Sequence, residues 1–550
     1  MNIFNIPLVF IAVLLVGCGG EPSKNSVDNN SEAPVPEQTP ELVKDKTPEP
    51  DKETVEEDQE PRLEETPDVP INTKHSKWEG PYKMPLVASA AANLPDGRIL
   101  TWSAYSKLKF HYGDVGVGKT FTSIFDPATN EASIGLVSNT EHDMFCPGTA
   151  MLSDGRVMVT GGSSNEQTSI YDPVTSKWTK GPKMKIPRAY HSMTPLSDGG
   201  VFTIGGSWGL KKKGNKNGEV WNESTAWVEK PLLKPKPLLT GDPKGPYRAD
   251  NHMWLYTAPN GLVFHAGPSY KMNWIDTVGD GEIRPSVNRG NDNHSMNGNA
   301  IMYDIGKILT VGGAPNYDNS DATSNAHIID INGGIGQVTV KKVANMANRR
   351  AFHNSVVLPS GEVVVVGGQN HAIIFTDKTS VFAAEIWNPK TEKFTTLAEM
   401  KIPRNYHSVA LLMKDGRVFV SGSGLCGSCK TNHLDAEIFT PPYLLTVDGS
   451  LADRPVITAS PSSARPGDDI NVSVDKNGQH SFSLVRLASA THAVNNDERR
   501  IPLEAVKLSA GKFKLTIPAN AAVVIPGNYF LFALNKNGVP SVAKVLLINE

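Results

Sequence analysis

Gly306-Lys307-Ile308-Leu309-Thr310-Val311-Gly312-Gly313 joins a glycine turn to a short apolar run and closes on a glycine pair. A run this short, rich in branched and apolar residues and fenced by glycine, reads as a buried strand between two turns. The same shape recurs along the chain. It appears as Pro95-Asp96-Gly97-Arg98-Ile99-Leu100, Ser153-Asp154-Gly155-Arg156-Val157-Met158 and Ser197-Asp198-Gly199-Gly200-Val201-Phe202. It returns as Asn260-Gly261-Leu262-Val263-Phe264, Ser360-Gly361-Glu362-Val363-Val364 and Lys414-Asp415-Gly416-Arg417-Val418-Phe419. Further strands follow some copies, as in Thr168-Ser169-Ile170-Tyr171-Asp172-Pro173 and Ala384-Glu385-Ile386-Trp387-Asn388-Pro389.

The repeats are spaced from the mid-forties to the low sixties, near the ~50 residues of a kelch unit. Seven copies predict an all-β fold: a closed seven-bladed kelch-type β-propeller over residues 76–450, whose radial repetition leaves only short edges. After Pro441-Pro442-Tyr443 the repeat stops. Residues 451–550 alternate short strands with turns such as Arg465-Pro466-Gly467 and Asn537-Gly538. That pattern suits an immunoglobulin-like β-sandwich.

The 550 residues carry a formal net charge of -3 and no long basic block, so nucleic acid is not an expected partner. The apolar run from Leu8 to Val16 is far shorter than the ~20 residues of a spanning helix and has the length of a signal-peptide core. Leu15-Val16-Gly17-Cys18 resembles the bacterial lipoprotein box, in which Cys18 becomes the lipidated first residue; an ordinary secretory signal is the alternative. Residues 1–17 are then a signal peptide. Residues 18–75, rich in Glu, Asp, Pro, Thr and Lys, cannot bury enough apolar surface to fold and form a disordered acidic tether. The expected location is outside the cytoplasm, on a membrane through the lipid anchor, as an exported lipoprotein and a monomer.

Pro403-Arg404-Asn405-Tyr406-His407-Ser408 sets a phenol beside an imidazole. Both can ligate a metal, and the phenol can also hold a proton or an electron. Pro187-Arg188-Ala189-Tyr190-His191-Ser192 repeats it, and Arg350-Ala351-Phe352-His353-Asn354 is a weaker copy. Repeated units keep residues for packing, so the recurrence alone speaks for architecture. Of the four cysteines, Cys146 stands alone and Cys426 and Cys429 form a C-x-x-C. In an exported protein that pair is expected as a local disulfide. A thioredoxin-like pair lacks its βαβ context, and zinc lacks a second pair.

Several longer stretches then converge. They include Glu141-His142-Asp143-Met144-Phe145-Cys146-Pro147-Gly148, Ile204-Gly205-Gly206-Ser207-Trp208 and Tyr247-Arg248-Ala249-Asp250-Asn251-His252. With them stand Ser320-Asp321-Ala322-Thr323-Ser324-Asn325-Ala326-His327, Gly424-Leu425-Cys426-Gly427-Ser428-Cys429, and the segment from Thr491-His492 to Arg500-Ile501-Pro502-Leu503. From about Lys77 to the C-terminus the chain resembles the galactose oxidase and glyoxal oxidase family of copper radical oxidases. The resemblance implies a thioether between Cys146 and the ring of Tyr190, which holds the radical, with Trp208 stacked over it. It implies one copper ion ligated by Tyr190, Tyr406, His407 and His492, with Tyr406 axial and one position open to substrate. The implied reaction takes a primary alcohol and dioxygen to an aldehyde and hydrogen peroxide.

The residue types suit that chemistry. Two imidazoles with phenolates form the N,O set favoured by Cu(II). A two-electron oxidation needs a second redox centre beside copper, and an oxidisable tyrosine can be one. His492 lies in the sandwich region, so that domain must send a loop into the propeller channel. At the substrate mouth the resemblance implies Arg248, Tyr247, Phe375 and Phe352. Lys244 and Ser286 stand where galactose-oxidising members have glutamines, and Tyr112 where they have a phenylalanine. Galactose is thus one candidate among small alcohols. The competing expectations are oxidation of small aldehydes, as by glyoxal oxidases, and a non-catalytic propeller that binds a glycan or protein.

Overall fold

The computed structural model describes residues 76–110, 117–206, 214, 216–290 and 292–550. The expected signal peptide, Cys18, the tether, Tyr112 and Trp208 lie outside the described residues. One compact unit spans Asp68–Glu550 and does not divide where the repeat stops. Among the described residues, no helix is long and apolar enough to cross a membrane.

Seven antiparallel blades form the propeller. The first strands of neighbouring blades pack side by side, except between the first two blades, where Ser489–Thr491 lies between them, and later strands step outward. Strands such as Val363–Val366 are fully buried, because both blade faces are covered by neighbouring blades. Each such valine contributes about 1.5 kcal/mol or more by leaving water. The ring closes by pairing distant parts of the chain. Lys77–Lys83 adds to Asp435–Thr440 as the outer strand of the last blade, with Trp78 opposite Phe439.

The glycine pairs have a steric cause. Gly312 and Gly313 have φ of 61° and 90°, in the left-handed region that glycine enters without penalty. A Cβ on Gly312 would stand 2.5 Å from the Arg350 carbonyl oxygen of the next blade. One on Gly313 would stand 2.6 Å from the Ser295 oxygen, where the chain enters its own blade.

The repeated arginine is structural. Arg188 and Arg350 are fully buried, and their Nη2 atoms meet Glu219 at 2.7 Å and Glu385 at 2.8 Å on the third strands of their blades. Arg404 does the same with Asp435 and Glu437. Each guanidinium also donates to backbone carbonyls, so the buried charge is paired.

Residues 457–548 form one eight-stranded sheet curled around one core. Its long strand Arg500–Ser509 pairs with His480–Arg486 at its start and with Lys512–Thr516 further on, which links the two faces of the sandwich. From this domain Ser489–Thr491 leaves and pairs with Ala90–Asn93, the inner strand of the first blade. The residues that follow fasten the other blades. Asn299 donates to the Ala493 carbonyl, and Asn496 donates to the carbonyls of Met193 and Met253 at 3.0 and 3.2 Å. Asp497 accepts from the Met151 N–H at 3.2 Å and Glu498 from that of Val357 at 2.7 Å.

Candidate metal centre

At the entry to most blades, one or two residues before the first strand, a non-glycine residue adopts a left-handed backbone. The set comprises Cys146, Tyr190, His252, Asn297, Phe352 and His407, with φ between 54° and 70°. Such conformations are costly for side-chain-bearing residues and persist where the surroundings fix them. Here hydrogen bonds between neighbouring blades do so. The His252 N–H donates to the Tyr190 carbonyl at 3.1 Å, the Tyr190 N–H to that of Cys146 at 2.9 Å, and the Phe352 N–H to that of Asn297 at 2.7 Å. These turns bring side chains from separate blades together at one end of the channel.

Tyr190, Tyr406, His407, His492 and Cys146 meet there, all buried. The Tyr190 and Tyr406 hydroxyls are 3.1 Å apart. Ring centroids are separated by 3.8 Å for Tyr406 and His407, 4.6 Å for His407 and His492, and 4.9 Å for Tyr190 and His492. Ligand atoms of Cys146, His407 and His492 lie within 4.8 Å of one another. The Cys146 and Tyr190 side chains are within hydrogen-bonding reach.

Both imidazoles are set up as ligands. His407 Nδ1–H donates to the Gly424 carbonyl at 2.6 Å, and its Nε2 is buried without a partner. The Thr491 hydroxyl spends its proton on the Ser89 carbonyl at 3.1 Å and so accepts from His492 Nδ1–H at 2.7 Å. That leaves the His492 Nε2 lone pair pointing at Cys146 Sγ, 3.4 Å away. A hydrogen bond at the far nitrogen is what fixes a metal-binding tautomer. Burial pushes His407 down to about 3 and His492 well below the usual imidazole range, so both are neutral, as ligation requires. Burial pushes the Tyr190 and Tyr406 phenols and the Cys146 thiol well up. Two neutral imidazoles, one of them with an orphaned ring nitrogen, and two phenols at a common point fit a copper ion.

The repeats of the hexapeptide diverge here. His191 Nε2 meets the Thr160 hydroxyl at 2.9 Å, and His353 is fully buried under Gly312 and Gly368. They pack the blades, whereas His407 faces His492 and Cys146.

Around the centre, Phe375 and Phe352 each stand 5.2 Å from Tyr406. Arg248 lies at the rim, half-buried like Tyr247, with its Nη2 4.0 Å from Asp318. Lys244 is exposed at the start of the same turn, Gly245–Tyr247. Ser286 does not belong to the mouth. It sits on Glu282–Asn288, the outermost strand of its blade, whereas among the described residues the Asp318 carboxylate approaches Arg248. A cavity of about 340 Å³ reaches Cys146 and Tyr190 and is lined by Tyr105, Phe110, Asp143 and Phe145. Cys426 and Cys429 are joined by a disulfide.

Two participants escaped the sequence reading. His252 lies 4.9 Å from His492 in a stacked arrangement and 5.1 Å from Tyr190. Its signal was positional: it precedes the strand Trp254–Thr257 by two residues, as Cys146 and Tyr190 precede theirs. Tyr317, whose hydroxyl is 3.1 Å from that of Tyr406, occurs in a loop with no repeat signal.

Comparison with known proteins agrees with this geometry. The glyoxal oxidase N-terminus family model matches residues 293–443, and the galactose oxidase-like early set domain model matches 454–548. A galactose oxidase of Gibberella zeae is 45% identical over 486 residues, covering 86% of this chain and 71% of that protein. An aldehyde oxidase of Vitis pseudoreticulata is 26% identical over 444 residues, covering 73% of this chain and 81% of that protein. A solved fungal alcohol oxidase with catalytic diversity among the AA5 family, in complex with copper, is 41% identical with a TM-score of 0.82, over 87% of this chain and 100% of that one. Likeness at this level across both the propeller and the inserted sandwich loop leaves one assignment: the chain belongs to the galactose oxidase and glyoxal oxidase family of copper radical oxidases.

Proposed function

We propose that this protein oxidises a primary alcohol to the aldehyde while reducing dioxygen to hydrogen peroxide. The carrying observation is the meeting of Tyr190, Tyr406, His407 and His492 beside Cys146 at the channel end. The four ring side chains would hold one copper ion. Bound there, copper supplies a one-electron acceptor and a Lewis-acid position for the alcohol oxygen. Cys146 and Tyr190 would become joined by a thioether, the thiol hydrogen and one ring hydrogen passing with two electrons to dioxygen; its sulfur would donate electron density to the phenol and ease its oxidation. Tyr406, as the phenolate that copper ligation would leave, would take the alcohol proton at its oxygen as general base. Tyr190, as the oxidised phenoxyl, takes a hydrogen atom from the carbinol carbon. The aromatic wall of Phe352 and Phe375 beside Tyr406 would limit water near the radical.

Arg248, Tyr247, Phe375, Tyr112 and Lys244 are proposed to receive the substrate, a galactose-like sugar or another small alcohol. A glyoxal-oxidase-like oxidation of aldehydes is the second reading, favoured by the family model over residues 293–443. Peroxide release measured across primary alcohols, sugars and aldehydes separates the two. Absence of both copper uptake and peroxide release would leave a binding propeller instead.

For residues 1–75 we propose export, lipidation at Cys18 and tethering to a membrane. The support is the Leu15–Cys18 box and the acidic composition that follows. Cys18→Ala should move the protein from the membrane fraction to the soluble one; an unchanged distribution rejects the anchor.

A further inference from the structure

Tyr317 is fully buried, and its hydroxyl donates to the Tyr406 oxygen at 3.1 Å. On its other side the same hydroxyl lies 3.0 Å from His252 Nε2. A phenol that gives its proton to Tyr406 can only accept from His252, so the chain of bonds runs from His252 Nε2–H through Tyr317 to Tyr406. The backbone of Tyr317 is pinned as well: its N–H donates to Asp242 at 2.9 Å, and its carbonyl accepts from Asn297 at 2.7 Å. Hydrogen bonds aligned in one direction reinforce each other in a buried site.

The ring of Tyr317 has a second neighbour. The Arg248 guanidinium sits over it at 5.3 Å, an attraction of cation and ring face. The adjacent Asp318 reaches Arg248 from the side. One residue thus touches the phenol of the metal centre with its hydroxyl and carries the mouth arginine on its face.

We propose that Tyr317 is a positioning residue with two separable outputs. Its O–H occupies one lone-pair direction of the Tyr406 oxygen and so fixes the direction left for copper and the alcohol proton, and its ring holds Arg248 at the mouth. This rests on the oxidase reading, and the test distinguishes the two. Tyr317→Phe keeps the ring and deletes the donor. It should lower kcat roughly tenfold to hundredfold, the scale of a hydrogen bond to a charged group, and leave KM within about twofold. In the copper-loaded protein the phenolate-to-copper absorption band should shift. Tyr317→Leu removes both outputs and should also raise KM by roughly tenfold. His252→Phe keeps a ring against His492 but removes the bond to Tyr317. It should reproduce the kcat and spectral changes, and it should add little when combined with Tyr317→Phe.

A Tyr317→Phe enzyme with unaltered kcat and absorption overturns the proposal. So does one that loses kcat and KM together with an unshifted band, since that marks a merely structural role. If the unsubstituted protein takes up copper and releases peroxide, those outcomes count against Tyr317 alone; if it does neither, the oxidase reading falls and this proposal with it.

Discussion

The hydroxyls of Tyr190 and Tyr406 lie 3.1 Å apart although 216 residues separate them in the chain. Each stands where the chain enters the first strand of its blade, the point of every blade nearest the axis. A closed ring returns distant repeats to one another, so residues at equivalent repeat positions become neighbours across the channel. His492 arrives differently, carried by Ser489–Thr491 along the inner strand of the first blade.

Cys146→Gly should remove the thioether while sparing the fold, because glycine suits the φ of 56° at this position. Activity should fall at least roughly tenfold, about 1.4 kcal/mol of barrier. In the unsubstituted, copper-treated protein, the linked Cys146 and Tyr190 peptides should weigh two hydrogens less than their sum. Peptides that stay separate while the enzyme works would refute the link.

Copper should stabilise the protein by binding only its folded state, by about 4 kcal/mol at a thousandfold excess over Kd. His407→Ala removes the orphaned Nε2 donor, so thermal unfolding of this variant should respond little to copper or chelator. A copper-dependent rise in Tm equal to that of the unsubstituted protein would exclude His407 as a ligand.

Glu498 is fully buried in the inserted loop, accepts from Val357 N–H and Asn495, and is pushed up to about 8 by burial. A carboxyl raised in the folded state contributes stability that is complete below its unfolded value near 4.5 and lost as pH climbs through about 8. Between pH 5 and pH 9 the unsubstituted protein should lose on the order of a few kcal/mol that Glu498→Gln retains. Denaturant unfolding at both pH values checks this. Parallel losses in the two proteins would remove Glu498 as the cause.

Arg188→Met leaves Glu219 buried without its partner, which should cost about 3–5 kcal/mol. Adding Glu219→Leu should recover part of that loss, although the N–H groups of Lys185 and Ile186 also rely on this carboxylate. Urea midpoints of the two variants make the comparison. A double variant less stable than Arg188→Met would mean that those backbone bonds outweigh the cost of burying an unpaired carboxylate.

The blades were legible because each is a run of local hairpins, in which glycine turns and short apolar strands carry their own period. The Arg-x-x-His copies were legible as a motif but not as roles. Arg188, Arg350 and Arg404 pair with carboxylates in the same way, while only His407 among their histidines faces the metal centre. Ser286 was misplaced because nothing local to a strand says how far it lies from the axis, and the neighbour of Arg248 proved to be Asp318.

From the linear chain alone came the strands, their turns, their sevenfold repetition and the residue types able to hold copper, since all of these depend on interactions between near neighbours. Ring closure through Lys77–Lys83, the entry of His492 into the channel and the bond between Tyr317 and Tyr406 were decided by the tertiary structure. Each joins segments tens to hundreds of residues apart. Such pairings depend on how the blades curve around the axis, and residue spacing carries no record of that curvature.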